Sequence, residues 1–102
     1  MDEILKRLAE AREQAGLTQA QAGKLIGLST SGFCDMEKGR SPLTVERMLE
    51  LCTLYGINSV WALTGVNPFF SAEKTAEMLT KLDATRGEIT RIMRILESTA
   101  NA

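Results

Sequence analysis

Apolar residues recur at intervals of three and four along almost the whole chain, which is the spacing of a helix that buries one face. Alternating runs of Val, Ile and Thr, which would predict strands, are almost absent. A small polar residue precedes most of the periodic segments and a glycine follows them, as expected where helices start and end. The sequence therefore predicts an all-α protein built from six helical segments.

Five short segments fill the first two thirds of the chain. The first is predicted from Asp2 to about Ala15, where Gly16 ends it. The next four are predicted to begin after the cap residues Thr18, Ser29, Thr44 and Asn58, and to end near Ile26, Lys38, Tyr55 and Gly65. Gln21 lies three residues after Thr18, and this T-x-x-Q pattern predicts a capping box at the second helix.

The spacing also predicts which apolar side chains face inward. These are, in chain order, Ile4, Leu5, Leu8, Ala11 and Ala15, then Ala22, Leu25 and Ile26, then Phe33 and Met36, and then Val45, Met48, Leu49, Cys52 and Tyr55. The fifth helix contains the apolar residues Val60, Trp61 and Leu63, to which no face is assigned. Residues 1–66 are predicted to form one domain, and the Asn67-Pro68 pair marks its predicted boundary.

The segment from Leu17 to Gly39 contains two short helices that meet at a tight turn around Gly27. A glycine stop follows the second of them. This arrangement is typical of a helix-turn-helix. Ala22 is small enough to let the two helices approach closely where they cross.

Four short stretches carry a family resemblance: A-R-E-Q-A-G-L-T-Q at 11–19, K-L-I-G-L-S at 24–29, M-E-K-G-R at 36–40 and V-W-A-L-T-G at 60–65. Together they resemble the Cro/repressor-type, or XRE-type, helix-turn-helix family over about residues 3–66. The resemblance implies a five-helix, lambda-repressor-like DNA-binding domain. It also implies a dimeric regulator of transcription, expected to be a repressor of phage or bacterial origin, that binds a palindromic operator in double-stranded DNA.

The resemblance assigns roles to individual positions. Base edges in the major groove would be read by Thr30, Ser31 and Cys34. DNA phosphates would be contacted by Gln19, Lys24, Lys38 and Arg40. Arg12 and Glu37 match a pair that forms a structural salt bridge in this family.

The charge balance leaves a second function class open. Residues 1–66 contain seven Lys and Arg against eight Asp and Glu, and the chain has a net charge of −1. The predicted third helix carries Gly32 and Asp35 but no Arg, Gln or Asn, the side chains best suited to paired base contacts. The alternative is therefore a protein-interaction module that keeps the helix-turn-helix fold and has lost strong DNA binding.

Residues 67–102 are predicted to form a separate helical segment, capped by Ser71 and running to about Ser98. Its apolar seam follows a heptad pattern, with Met78, Leu82, Ile89, Ile92 and Leu96 as the predicted dimerisation residues. The seam packs either on its own domain or on the same segment of another subunit. We favour the second arrangement, because a dimer binds two half-sites about one helical turn apart. Gly87 leaves open whether the segment is one helix or a hairpin.

Composition argues against several other classes of function. The chain has no His, and its two cysteines, Cys34 and Cys52, are far apart, so neither a zinc site nor a catalytic triad is expected. No Gly-rich phosphate loop is present, and we expect no enzyme activity, no cofactor and no metal. No apolar run approaches the roughly 18 residues of a membrane span, and the N-terminal stretch lacks the pattern of a secretory signal. The expected location is the cytoplasm.

Overall fold

The protein is all-α in a computed structural model. The structure describes residues 2–100, apart from the side chains of residues 83–86, 88, 89, 92, 96 and 98–100. Within that part of the chain the helices are α1 (Asp2–Gln14), α2 (Gln19–Leu25), α3 (Thr30–Glu37), α4 (Val45–Tyr55), α5 (Ser59–Thr64) and α6 (Ala72–Ala100). The chain divides into two compact units, residues 1–71 and residues 72–102.

The predicted caps of α2 to α5 are confirmed. The side chains of Thr18, Ser29, Thr44 and Asn58 each accept a backbone N–H from the first turn of the following helix at 3.1 Å. Gln21 completes the predicted capping box, since its Oε1 accepts from the Thr18 backbone N–H at 2.9 Å. Each cap satisfies an N–H that would otherwise lack a partner, which explains why these helices begin where the sequence predicts.

The core of the first unit lies between α1, α3, α4 and α5, and the buried face of α2 closes it. Its buried members are Leu8, Ala11, Ala22, Phe33, Met36, Met48, Leu51, Cys52, Tyr55, Ile57, Trp61 and Ala62. Phe33 is the largest side chain that is fully enclosed. Removing this apolar surface from water is the main stabilising contribution to the unit.

Four residues that were predicted to face inward are exposed: Ala15, Leu25, Val45 and Leu49. On α4, the side chains of Val45 and Leu49 are 66% and 48% exposed, whereas Leu51 is buried. A stripe through Val45 and Leu49 has the same four-residue spacing as one through Leu51 and Tyr55, which are buried. Periodicity alone does not choose between two such faces, and packing against the other helices decides the outcome.

The first unit extends five residues beyond the boundary predicted after Val66. The Phe69 ring meets the Trp61 ring edge-on, with 4.5 Å between their centroids. The Asn58 N–H donates to the Phe69 carbonyl at 2.8 Å, and the Ser71 N–H donates to the Gly56 carbonyl at 3.0 Å. The Asn67-Pro68 pair thus begins a short segment that folds back onto α5 and does not begin a linker.

The second unit is one helix, because α6 continues through Gly87. A hairpin is therefore not formed, and the mid-helix glycine is tolerated at a cost of about 1 kcal/mol relative to Ala. Of the predicted seam, Met78 is half-buried and Leu82 is exposed. Ile89, Ile92 and Leu96 lie outside the described side chains.

A helix that crosses a membrane needs a longer apolar stretch than any described helix offers.

Burial of the chain's single tyrosine makes the first unit sensitive to alkali. The Tyr55 hydroxyl has no hydrogen-bond partner among the described residues. Burial, and then the negative charge of Glu37, raise the pKa of Tyr55 far above its usual value of about 10. The folded state therefore keeps a proton that the unfolded state loses. The resulting stability is complete below about pH 10 and falls as the pH rises further.

We expect the near-ultraviolet absorbance of tyrosinate to stay flat through about pH 10 and to rise only when circular dichroism reports unfolding. In Tyr55→Phe, the free energy of unfolding should fall less steeply above that pH. Tyrosine ionisation centred near pH 10, with the helical signal intact, would contradict this account of the buried hydroxyl.

Candidate nucleic-acid interface

Two glycines shape the helix-turn-helix, Gly27 in the turn and Gly23 within α2. Gly27 has a φ of +75°, a backbone conformation that side-chain-bearing residues rarely adopt. Gly23 lies where α3 passes closest to α2, and a Cβ there would approach the Phe33 Cβ and the Leu28 carbonyl to 3.1 Å. Sequence reasoning assigned this close approach to Ala22, which is indeed fully buried, but missed Gly23. The backbone of α2 at Gly23 therefore packs directly against the Phe33 side chain of α3.

A cluster of polar side chains joins α3 to α1 and α2. The Arg12 Nε lies 2.8 Å from Glu37 Oε2, and the Gln19 amide nitrogen donates to Glu37 Oε1 at 2.9 Å. Arg12 also donates from Nη1 to the Leu17 carbonyl at 2.6 Å. The structure thus contains the ion pair predicted between Arg12 and Glu37, whose side chains are each only 11% exposed.

The electrostatics of this cluster favour the charged pair. Burial by itself lowers the pKa of Arg12, but the hydrogen bond and negative charge of Glu37 outweigh it and raise that pKa above its ordinary value. Gln19 was expected to bind a DNA phosphate, but its amide nitrogen is engaged by Glu37 inside the protein. The sequence places Gln19 near the N-terminus of α2. That Glu37 lies beside it depends on how α3 packs, which the sequence pattern does not show.

The exposed face of α3 contains the residues predicted to read bases. Thr30 and Ser31 are exposed at the start of the helix, and Cys34 is half-buried one turn later. Phe33 and Met36 occupy the opposite, buried face. The beginning of α3 therefore presents two hydroxyl groups to solvent, close to the positive end of the helix dipole.

Three arginines hold backbone segments in place. A structural role was predicted from the sequence for Arg12 but not for Arg7 or Arg47. Arg7 donates to the Ala62 and Leu63 carbonyls at 2.8 Å, at the end of α5. Arg47 donates to the Ile26 carbonyl at 2.6 Å, at the end of α2, and Arg12 donates to the loop that follows α1. A backbone carbonyl partner cannot be recognised from residue types, so no sequence signal marks these contacts.

The remaining cations of residues 2–71 are Lys6, Lys24, Lys38 and Arg40, and all of them are exposed. Lys24 lies on α2, and Lys38 and Arg40 follow α3. The Arg40 Nη1 also lies 3.7 Å from Asp35 Oδ1. Three of the four predicted phosphate ligands are therefore accessible, and the fourth, Gln19, is engaged within the protein.

An open apolar groove lies between α2 and α4, on a surface for which the sequence predicted burial. Its lining residues are Leu25, Ile26, Glu46, Leu49, Glu50, Thr53 and Leu54, and its volume is about 570 Å³. Among the described residues, no cluster of His, Cys, Asp and Glu is large enough to hold a metal ion.

Residues 3–60, more than half of the chain, match the family model described as a helix-turn-helix domain. The protein belongs to this helix-turn-helix domain family. The helix-turn-helix chain is also similar to the glutamine–fructose-6-phosphate aminotransferase (isomerizing) of Methanocaldococcus jannaschii, with 37% identity over 60 residues. That match covers 57% of this chain but only 6% of the aminotransferase. No solved structure matches the chain.

Removal of the Glu37 carboxylate tests how strongly the polar cluster stabilises the helix-turn-helix. In Glu37→Ala, Arg12 stays largely buried without its partner, and we expect the free energy of unfolding to fall by about 3 kcal/mol. Glu13→Ala is the matched control, because Glu13 lies 3.9 Å from the same guanidinium but is mostly exposed. Its loss should cost less than about 1 kcal/mol. If urea denaturation shows the same loss of unfolding free energy for both variants, the buried ion pair stabilises the fold no more than an exposed one.

Proposed function

We propose that this protein is a sequence-specific DNA-binding regulator of transcription that acts as a dimer and represses its target. The observation that carries the proposal is the exposed start of α3, where Thr30 and Ser31 face solvent while the other side of the helix is held in the core. A helix with one rigidly packed face and one polar, accessible face suits the major groove of DNA.

In the proposed complex, different side chains contribute different parts of the binding free energy. The hydroxyl groups of Thr30 and Ser31 reach base edges, and Cys34 contacts a base or a thymine methyl group. Lys24, Lys38 and Arg40 bind phosphates, which provides affinity without sequence preference. Such binding needs no metal, cofactor or catalytic step. Occupation of an operator that overlaps a promoter is enough for repression.

Selection from a pool of random duplexes tests the division between base reading and phosphate contact. The wild-type chain should enrich one sequence, and the double variant Thr30→Ala with Ser31→Ala should enrich a different or looser one. Lys24→Ala should weaken binding to all sequences alike and reduce the slope of log affinity against log salt by about 1. Lys81→Ala, on α6, is the control and should change neither quantity. An unchanged slope in Lys24→Ala would mean that this lysine meets no phosphate.

The proposed dimer forms through the apolar seam of α6. Leu82→Lys places a charge in that seam and should shift the chain from dimer to monomer in sedimentation equilibrium. Thr80→Lys adds the same charge on the opposite side of the helix, where Thr80 is exposed, and should leave the dimer intact. If both variants remain dimers, the seam is buried elsewhere, and the first unit becomes the place to look for the subunit contact.

A protein-interaction module is the second candidate function, and the apolar groove between α2 and α4 favours it. Leu25 and Leu49 are 61% and 48% exposed there, beside the carboxylates of Glu46 and Glu50. An apolar surface with an acidic rim suits a protein partner better than it suits DNA. A wild-type chain that enriches no duplex even at low salt would favour this candidate over the first.

A further inference from the structure

Asp35 shares the exposed face of α3 with Ser31. The two residues are four positions apart on one helix, so their side chains are neighbours on its surface. The side chain of Asp35 is 49% exposed, whereas the adjacent Met36 is buried in the core. A carboxylate therefore stands on the face that the proposed function directs at DNA, and that function gives it no role.

The loop after α3 holds a cation beside this carboxylate. The backbone N–H groups of Arg40 and Ser41 donate to the Asp35 carbonyl at 2.8 and 3.3 Å. This fold of the loop brings the Arg40 guanidinium to 3.7 Å from the Asp35 side chain. Because the Arg40 side chain is 68% exposed and the distance is long, the pair contributes little stability and separates easily. Arg40 can exchange Asp35 for a DNA phosphate at small cost, which leaves the carboxylate facing the groove.

The chemistry of a carboxylate limits what it tolerates on DNA. It accepts hydrogen bonds and donates none, so it repels phosphates and the acceptor atoms of guanine and thymine. In the major groove the available donors are the amino groups of cytosine and adenine, and Asp pairs with N4 of cytosine. Resting on the proposed function, we infer that Asp35 is a specificity-determining residue. It accepts a hydrogen bond from the N4 amino group of one cytosine and disfavours DNA that places no amino group there.

The decisive variant is Asp35→Asn, which keeps the shape of the side chain and removes its charge. Selections from random duplexes with the full-length wild type should enrich sites that share one cytosine. Asp35→Asn should lose that cytosine and gain adenine at the same position, because Asn pairs with N6 and N7 of adenine. Its affinity for a duplex of scrambled sequence should rise about tenfold, since a like charge opposite the DNA has been removed.

Two further variants separate base reading from general charge. Glu10→Gln removes one negative charge from an exposed position on α1 and should leave the selected sequence unchanged. Asp35→Ser should lose the cytosine without gaining adenine, and thermal unfolding by circular dichroism verifies that each variant is folded. If Glu10→Gln and Asp35→Asn raise affinity for the scrambled duplex equally and neither changes the selected sequence, the effect is one of net charge and the inference is overturned.

The outcomes also distinguish failure of this inference from failure of the proposed function. If the wild type enriches a sequence and Asp35→Asn enriches the same one with the same affinity, Asp35 determines no specificity but the DNA-binding function stands. If neither chain binds any duplex at low salt, both proposals fail. If only Asp35→Asn binds, both proposals are overturned for the wild-type chain, because the random pool contains sites with the matching cytosine and the wild type should have bound them.

Discussion

The buried ion pair between Arg12 and Glu37 is the constraint on which the arrangement of the helix-turn-helix depends. Each charge is largely removed from water, so neither is stable there without the other. Their contact, together with Gln19, joins α1 to the start of α2 and the end of α3. The direction of α3 is thereby set at its C-terminal end by charge and, at its crossing with α2, by the close approach at Gly23. These two contacts therefore fix the orientation of the exposed start of α3.

The same demand for partners explains which cations of this acidic domain are engaged inside the protein and which remain exposed. Arg12 is paired with Glu37 and Arg47 with Glu50, whereas Arg7 donates to two backbone carbonyls. The cations that remain exposed include Lys24, Lys38 and Arg40, on α2 and directly after α3. Net charge therefore says little about binding by this fold, because the field at a surface depends on which charges are neutralised inside the protein. Asp35 is the exception on the exposed face of α3, and its pairing with Arg40 moderates its charge.

Two areas of exposed apolar surface need an explanation in this protein. On α2 and α4 it forms an open groove with carboxylates beside it, and on α6 it includes the exposed Leu79, Leu82, Met93 and Ile95. A single helix cannot bury its own apolar stripe, so the α6 surface needs a partner of some kind. For a regulator that binds two half-sites, a second copy of the same chain would be a suitable partner.

Local chemistry determined much of this protein before any packing was known. The four caps, the glycine turn and the starts of α2 to α5 follow from side-chain hydrogen bonding and backbone sterics within a few residues, and the sequence predicts them. The Arg12–Glu37 pair came from the family resemblance, since the two residues are 25 positions apart. Only the tertiary structure decided that Leu51, and not Val45 or Leu49, is buried on α4, that Gln19 binds Glu37 and that Phe69 returns to Trp61. These outcomes depend on contacts between distant segments, and helical periodicity carries no information on which of two equally spaced faces meets a neighbour.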